Sequence, residues 1–228
     1  MTDRHADAGQ PAPPIASLRL QGRVPFIATW SGETFSSPRL VWRGGRVAYA
    51  NERKGDRDAF GVLWRRAASR PGSGRPEYGR VHPGRQRRAM GGLLCQVCGR
   101  PARPEATDDG VLFLLSREEY EQDPWPAPIS TTHPPLCLRC AAVSVGVCPH
   151  LRGHYVAIRC PAPRLYGVNG IVHLAGIGAT PVRNHADPIQ IVSYASPRRG
   201  LVHAAQAVMR LDHYTVADLD SEPAALLS

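Results

Sequence analysis

The sequence predicts an α+β protein: a β-rich N-terminal part, a central cysteine-bearing module, then C-terminal strands and an amphipathic helix. Three observations carry that prediction. Gly and Pro number 22 each in 228 residues, so short elements joined by many turns are expected and a bundle of long helices is not. Apolar residues fall in short runs such as VPFIATW and VLFLL, the length of strands. Toward the C-terminus Leu201, Ala204, Ala205, Val208 and Leu211 recur at three- and four-residue spacing, the stripe of a helix that buries one face.

Taken in order, residues 1–14 are polar and Pro-rich and read as a disordered tail. Residues 15–82 form a β-rich basic unit. Its strand candidates are 18–20, 24–30, 39–42, 46–50 and 60–64, and Gly44-Gly45 is a hairpin signal because glycine accepts the positive φ of a tight turn. Residues 51–58 (NERKGDRD) read as a charged loop and residues 67–82 as a Pro/Gly-rich basic loop. A short helix is expected at 83–90, with Pro83 in the first turn, where its missing N–H costs nothing. Residues 83–160 form the central module and hold every cysteine. In the last unit, residues 161–218, strands are expected at 170–174 and 189–192, followed by a helix capped by Ser196 and opened by Pro197. Residues 219–228 read as a tail.

The net charge is +9, and of the 28 cationic residues only Lys54 is a lysine. That arginine bias looks like the composition of an actinobacterial or actinophage protein. The charge is not spread evenly: residues 37–103 hold sixteen cationic residues against four acids, a net of +12. Such a field draws polyanions, so nucleic acid is the expected partner. No apolar run approaches the roughly 18 residues of a membrane span, and the first residues carry no apolar signal-peptide core. A cytoplasmic protein without membrane contact is therefore expected. The chain shows no P-loop, no dinucleotide fingerprint and no G-x-S-x-G elbow, which argues against the enzyme classes built on them.

Cysteines fall at 95, 98, 137, 140, 148 and 160. Cys95-x-x-Cys98 and Cys137-x-x-Cys140 are two knuckles separated by 38 residues. Each knuckle sets two sulfurs on one side of a tight turn, and two knuckles complete a closed tetrahedral site, so Zn²⁺ is the expected cofactor. Cys148, His150, His154 and Cys160 (CPHLRGHYVAIRC) have the residue types for a second metal, with ordinary core and surface positions as the competing reading. His82, His173, His203 and His213 stand singly and read as structural.

The order of these parts is an Arg-rich helix, LLCQVCG, a strand, then PPLCLRCA at a helix start. It resembles a treble-clef zinc finger and the cysteine frame of HNH-type endonuclease domains. The resemblance covers residues 83–150. It implies a knuckle, a hairpin and a metal-bearing helix, and in HNH nucleases a histidine general base near the first hairpin strand. Here residues 111–115 contain no histidine, and His133 is the only one between Cys98 and Cys137. Four thiolates also leave a metal no open position for catalysis. The expectation is therefore a non-catalytic, zinc-stabilised, nucleic-acid-associated binding protein. Arg85, Arg87, Arg88, Arg100 and Arg103 are its candidate phosphate contacts, held near the first knuckle. Two alternatives stand beside it. One is a protein–protein adaptor or accessory factor for a DNA enzyme such as a phage recombinase or a transcription complex. The other is a rearranged HNH-like nuclease using His133 with Asp108 or Asp109.

Overall fold

The computed structural model describes residues 24–102, 110–122, 126–176, 180–184 and 189–219. The strand expected at 18–20, the N-terminal tail, the tail beyond Leu219, Arg103, Asp108 and Asp109 lie outside the described residues. The fold is mixed α+β with a strand-rich body, as the sequence predicts.

The N-terminal part consists of small antiparallel pairs. β1 (Ala28–Trp30) pairs with β7 (Pro76–Val81), β2 (Phe35–Ser36) with β6 (Arg66–Ala67), and β3 (Leu40–Arg43) with β4 (Arg46–Tyr49). The Gly-Gly hairpin forms where expected: Arg43 pairs with Arg46, and Gly44 and Gly45 take φ of 57° and 74°. β7 is a correction, since its residues read as part of a loop. The prolines of that stretch stay in the turn before the strand or at its first residue, Pro76, and only Gly79 of its glycines lies within the strand. A strand that pairs on one side only tolerates proline there.

The main sheet has six strands. Its centre is β11 (Arg164–Ala175), which pairs on one side with β14 (Val202–Leu211) and also with β13 (Ile189–Ser193) and β12 (Pro181–Arg183). β14 corrects the expected C-terminal helix. Ser196 does cap a turn, its Oγ accepting from the Arg198 N–H at 3.1 Å, but the turn is a single 3-10 stretch, Pro197–Leu201. The chain then runs extended. Asn169 pairs with Gln206 and Gly170 with Ala204, so Ala205 is a bulge. A bulge shifts the phase of a strand's alternation by one residue. Val202 and Ala204 are buried before it; Ala207, Val208, Met209 and Leu211 are buried after it. The residues of the expected helical stripe part company in the strand: Ala204 and Leu211 lie in the core, Val208 is buried on the other side of the strand, and Leu201 and Ala205 are half-buried.

The far edge of β14 is shared. β5 (Leu63–Trp64) pairs in parallel with His203 and Ala204, and β9 (Ile129–Thr131) pairs with Met209 to Leu211. Between them the edge is completed by a side chain from helix α1 (Pro83–Gly92). The Gln86 amide accepts from the Ala207 N–H at 2.8 Å and donates to the carbonyls of Ala207 at 2.9 Å and Thr132 at 2.8 Å. Gln86 thus does the work of a missing strand residue while fully buried. Gln86→Leu leaves three buried backbone groups without partners. It is expected to cost about 3 kcal/mol, read by chemical denaturation; a cost below about 0.5 kcal/mol would show that the edge is solvated instead.

A second sheet has the order β15 (Thr215–Ala217), β10 (Tyr155–Cys160), β8 (Val111–Ser116). α2 (Arg117–Gln122) follows β8, and α3 (Leu138–Val147) follows the second cysteine pair. One core cluster joins both sheets and the helices, with Trp64, Met90, Phe113, Leu136, Ile158, Val168 and Met209 among its members. It draws on all three units expected from sequence. A smaller cluster of Val47, Tyr49 and Leu63 sits under the β3–β4 hairpin. Among the described residues, no helix is long and apolar enough to cross a membrane.

Candidate metal centre and the basic surface around it

The first knuckle is built from the end of α1. Leu93 takes a left-handed conformation (φ 48°, ψ 46°) and turns the chain out of the helix. The Leu94 N–H bonds to the Ala89 carbonyl at 2.8 Å. The knuckle closes through Cys95 N–H to the Arg100 carbonyl at 2.7 Å and Gly99 N–H to the Cys95 carbonyl at 2.8 Å. Gly99 has φ +71°, and a Cβ there would stand 3.0 Å from the Phe26 ring, so glycine is required twice over. The second pair arrives on α3, with Cys137 as its N-cap. One backbone bond joins the two pairs, Gln96 N–H to the Pro135 carbonyl at 2.9 Å, and a second, Leu136 N–H to the Leu112 carbonyl at 2.9 Å, ties the lead-in of the second pair to the strand at 111–116.

The sulfurs of Cys95, Cys98, Cys137 and Cys140 all lie within 4.8 Å of one another. Cys98 Sγ and Cys137 Sγ are 3.9 Å apart. A tetrahedral site with metal–sulfur bonds of about 2.3 Å sets its sulfurs about 3.8 Å apart, so the four residues can hold a metal ion. The electrostatics agree. Hydrogen bonds from the Cys140 and Cys95 thiols pull the Cys137 thiol down to about 4, while the Cys140 thiol, tied to Cys137 and Cys95, is pushed up. The helix N-terminus adds a favourable dipole for a thiolate at Cys137.

Between the two pairs, the structure departs from the treble-clef resemblance. β8 pairs with β10, and β9 pairs with β14, so β8 and β9 do not form the implied hairpin. Nor does β8 offer a catalytic base: residues 111–115 are buried and apolar. His133 lies on the surface with its Nε2 3.4 Å from Glu119.

Among the described residues the four-cysteine cluster is the one group of three or more metal-ligating side chains. Cys148, His150, His154 and Cys160 are not brought together. Cys148 caps the C-terminus of α3, and His150 and His154 line a surface cleft with Glu118 and Glu121. Cys160 is buried in β10, its thiol donating to the Asp212 carbonyl at 3.3 Å. Two of the lone histidines, His82 and His203, are tied into the fold. His82 caps α1, and His203 Nε2 sits 2.7 Å from the Tyr49 hydroxyl.

The arginines separate. Arg85 is a correction: its side chain is 7% exposed, and its guanidinium donates to both carboxylate oxygens of Glu33 at 2.6 and 2.8 Å, to the Ala28 carbonyl and to the Ser69 hydroxyl. It faces inward on the buried side of α1, beside Gln86, and is not available to a phosphate. Arg88 and Arg100 are exposed. Arg88 lies over the Phe26 ring at 5.8 Å, the ring that abuts Gly99 of the knuckle. Arg87 points elsewhere: it lies 4.9 Å over Trp64 and lines a cleft with Arg53, Lys54, Arg65 and Arg66. The sequence reading named none of those four as site residues. The available signal was loop 51–58, whose cations stand just before the short strands that bury Trp64.

No family model, no curated protein and no solved structure matches this chain.

Proposed function

We propose that the protein is a zinc-stapled, non-catalytic binding module that contacts nucleic-acid phosphates, those of DNA first, through arginines fixed at the first knuckle. The carrying observation is the placement of Arg88 and Arg100. Both are exposed, both flank the rigid Cys95–Cys98 turn, and neither has a carboxylate partner among the described residues. Zinc is the metal of choice because four thiolates make a closed tetrahedral site, which staples a fold and leaves no position for substrate. Guanidinium groups held in this way give affinity and orientation without reading bases.

Duplex DNA binding should weaken steeply as salt rises. Arg88→Gln with Arg100→Gln should reduce the slope of log K against log salt by about 2, at roughly 0.9 per phosphate contact. Fluorescence anisotropy across a salt series checks this; no binding at low salt, or a slope untouched by the substitutions, would end the reading.

A second reading, a protein–protein adaptor, is favoured by one observation. Ile189 and Ile191 are both exposed on the same face of β13. An apolar patch of that kind is a docking feature. A partner retained at high salt and released by Ile189→Asp would favour it over phosphate contact.

A further inference from the structure

A cleft of about 500 Å³ opens between loop 51–58, β6 and the N-terminal turn of α1, and it is lined by five cationic side chains, Arg53, Lys54, Arg65, Arg66 and Arg87. One carboxylate, Asp56, shares it. That carboxylate is already spoken for. Arg66 grips both of its oxygens, with Nε to Oδ1 at 2.8 Å, and Arg66 also donates to the Asn51 carbonyl at 2.8 Å. The Arg53 backbone N–H bonds to the same carboxylate. This buried clamp fixes the loop that carries Arg53 and Lys54, and it cancels one positive charge.

Four cations remain. Among the described residues none of Arg53, Lys54, Arg65 and Arg87 has a side-chain hydrogen bond or contact ion pair. Two are pre-positioned by aromatic rings. Arg87 lies over Trp64, whose indole N–H is held by Asp58 at 2.9 Å, and Arg65 lies 5.6 Å over Phe35. Gly84, in the first turn of α1, also lines the cleft, so the positive end of that helix dipole faces the same space. Concentrating four like charges in one concavity is electrostatically costly unless an anion joins them. A single phosphate monoester brings about −1.5 to −2, too little to balance four cations. Two adjacent phosphates match better, and arginine forks suit their oxygens.

We propose that this cleft is a binding site for a ligand with two adjacent phosphate groups. It shares none of its residues with the Arg88–Arg100 surface and does not depend on that surface binding nucleic acid. Two sources offer the chemistry: the diphosphate of a free nucleotide, or a single strand that lays three or more of its singly charged phosphates along the cleft.

The test is calorimetric titration of the zinc-loaded full chain with ADP at low salt without magnesium, with adenosine as control. ADP should bind and adenosine should not. Arg53→Gln with Arg65→Gln should weaken ADP at least tenfold; both side chains are exposed, so the fold should survive, and circular dichroism and retained zinc confirm it. Arg88→Gln with Arg100→Gln should leave ADP binding within twofold. An octathymidylate that displaces ADP assigns the site to a strand, and one that does not assigns it to a free nucleotide. Absence of ADP binding, or ADP affinity untouched by the cleft pair or lowered equally by the knuckle pair, overturns the proposal. Loss of the salt-dependent DNA binding with ADP binding intact would instead overturn the knuckle reading alone.

Discussion

Removing the metal is expected to unfold this protein. The cluster sits inside the main core: Cys95 is fully buried, Cys140 is 6% exposed, and Leu136 and Leu138 pack beside them. The backbone joins the first knuckle to the lead-in of the second pair through the Gln96 N–H to Pro135 carbonyl bond, so a metal held by all four thiolates would be the stronger tie between the pairs. Apparent binding free energies of structural zinc are about 10–16 kcal/mol, and whole domains are stable by about 5–15 kcal/mol. Stripping the metal therefore removes an amount comparable to the total. Purified protein should carry one zinc per chain by elemental analysis. Chelation should abolish the cooperative thermal transition, and Cys140→Ser should lower the midpoint by about 10–20 °C, as a loss of about 5 kcal/mol would at this chain length. A melting curve unchanged after complete removal of metal would refute a structural role for the cluster.

The second large effect lies at Glu33 and Arg85. Burial by itself would raise the Glu33 carboxyl. Hydrogen bonds from Arg85 and from the Trp30 and Arg70 amides outweigh it and hold the group at about 2. A carboxylate with a depressed folded-state value stabilises the fold above its unfolded value, here 4.5, and the stabilisation is lost as pH falls through about 2. At about 1.4 kcal/mol per unit, the shift is worth about 3 kcal/mol at neutral pH. The contribution of this carboxylate should therefore be flat above about pH 5 and decline between about 4.5 and 2, below an earlier loss that begins under 6.5 because burial keeps His203 neutral down to about 4. Glu33→Gln should flatten that part of the curve. Arg85→Ala leaves a fully buried carboxylate unpaired and should cost about 3–5 kcal/mol. Urea denaturation at several pH values reads both, and a Glu33→Gln curve parallel to wild type would show that the pair contributes nothing to the acid limb.

Much of the local structure was legible in the chain. Gly44-Gly45, Pro83 and the Cys-x-x-Cys turns each act through their own φ, missing donor or side-chain reach, and each appears in its expected role, whereas Ser196-Pro197 caps only a 3-10 turn. The metal ligands were legible for the same reason: the spacing within each knuckle is local geometry. Tyr49 and Trp64, which fall among the arginines, fill core as apolar residues in strands usually do.

What the sequence determined by itself was the α+β class, the four-cysteine cluster and the concentration of positive charge in residues 37–103. What only the tertiary structure decided was which arginines are free and what 202–211 becomes. Arg85 and Arg88 look alike in RQRRAM, but Glu33, 52 residues upstream, claims the first and leaves the second in solvent. The run LVHAAQAVMRL carries the spacing of a helix, and β11 and β9 draw it into a sheet with a bulge at Ala205. In both cases the deciding partner is distant along the chain. Short-range propensity is worth tenths of a kcal/mol per residue, while a buried ion pair or a completed sheet edge is worth several, so the distant partner prevails.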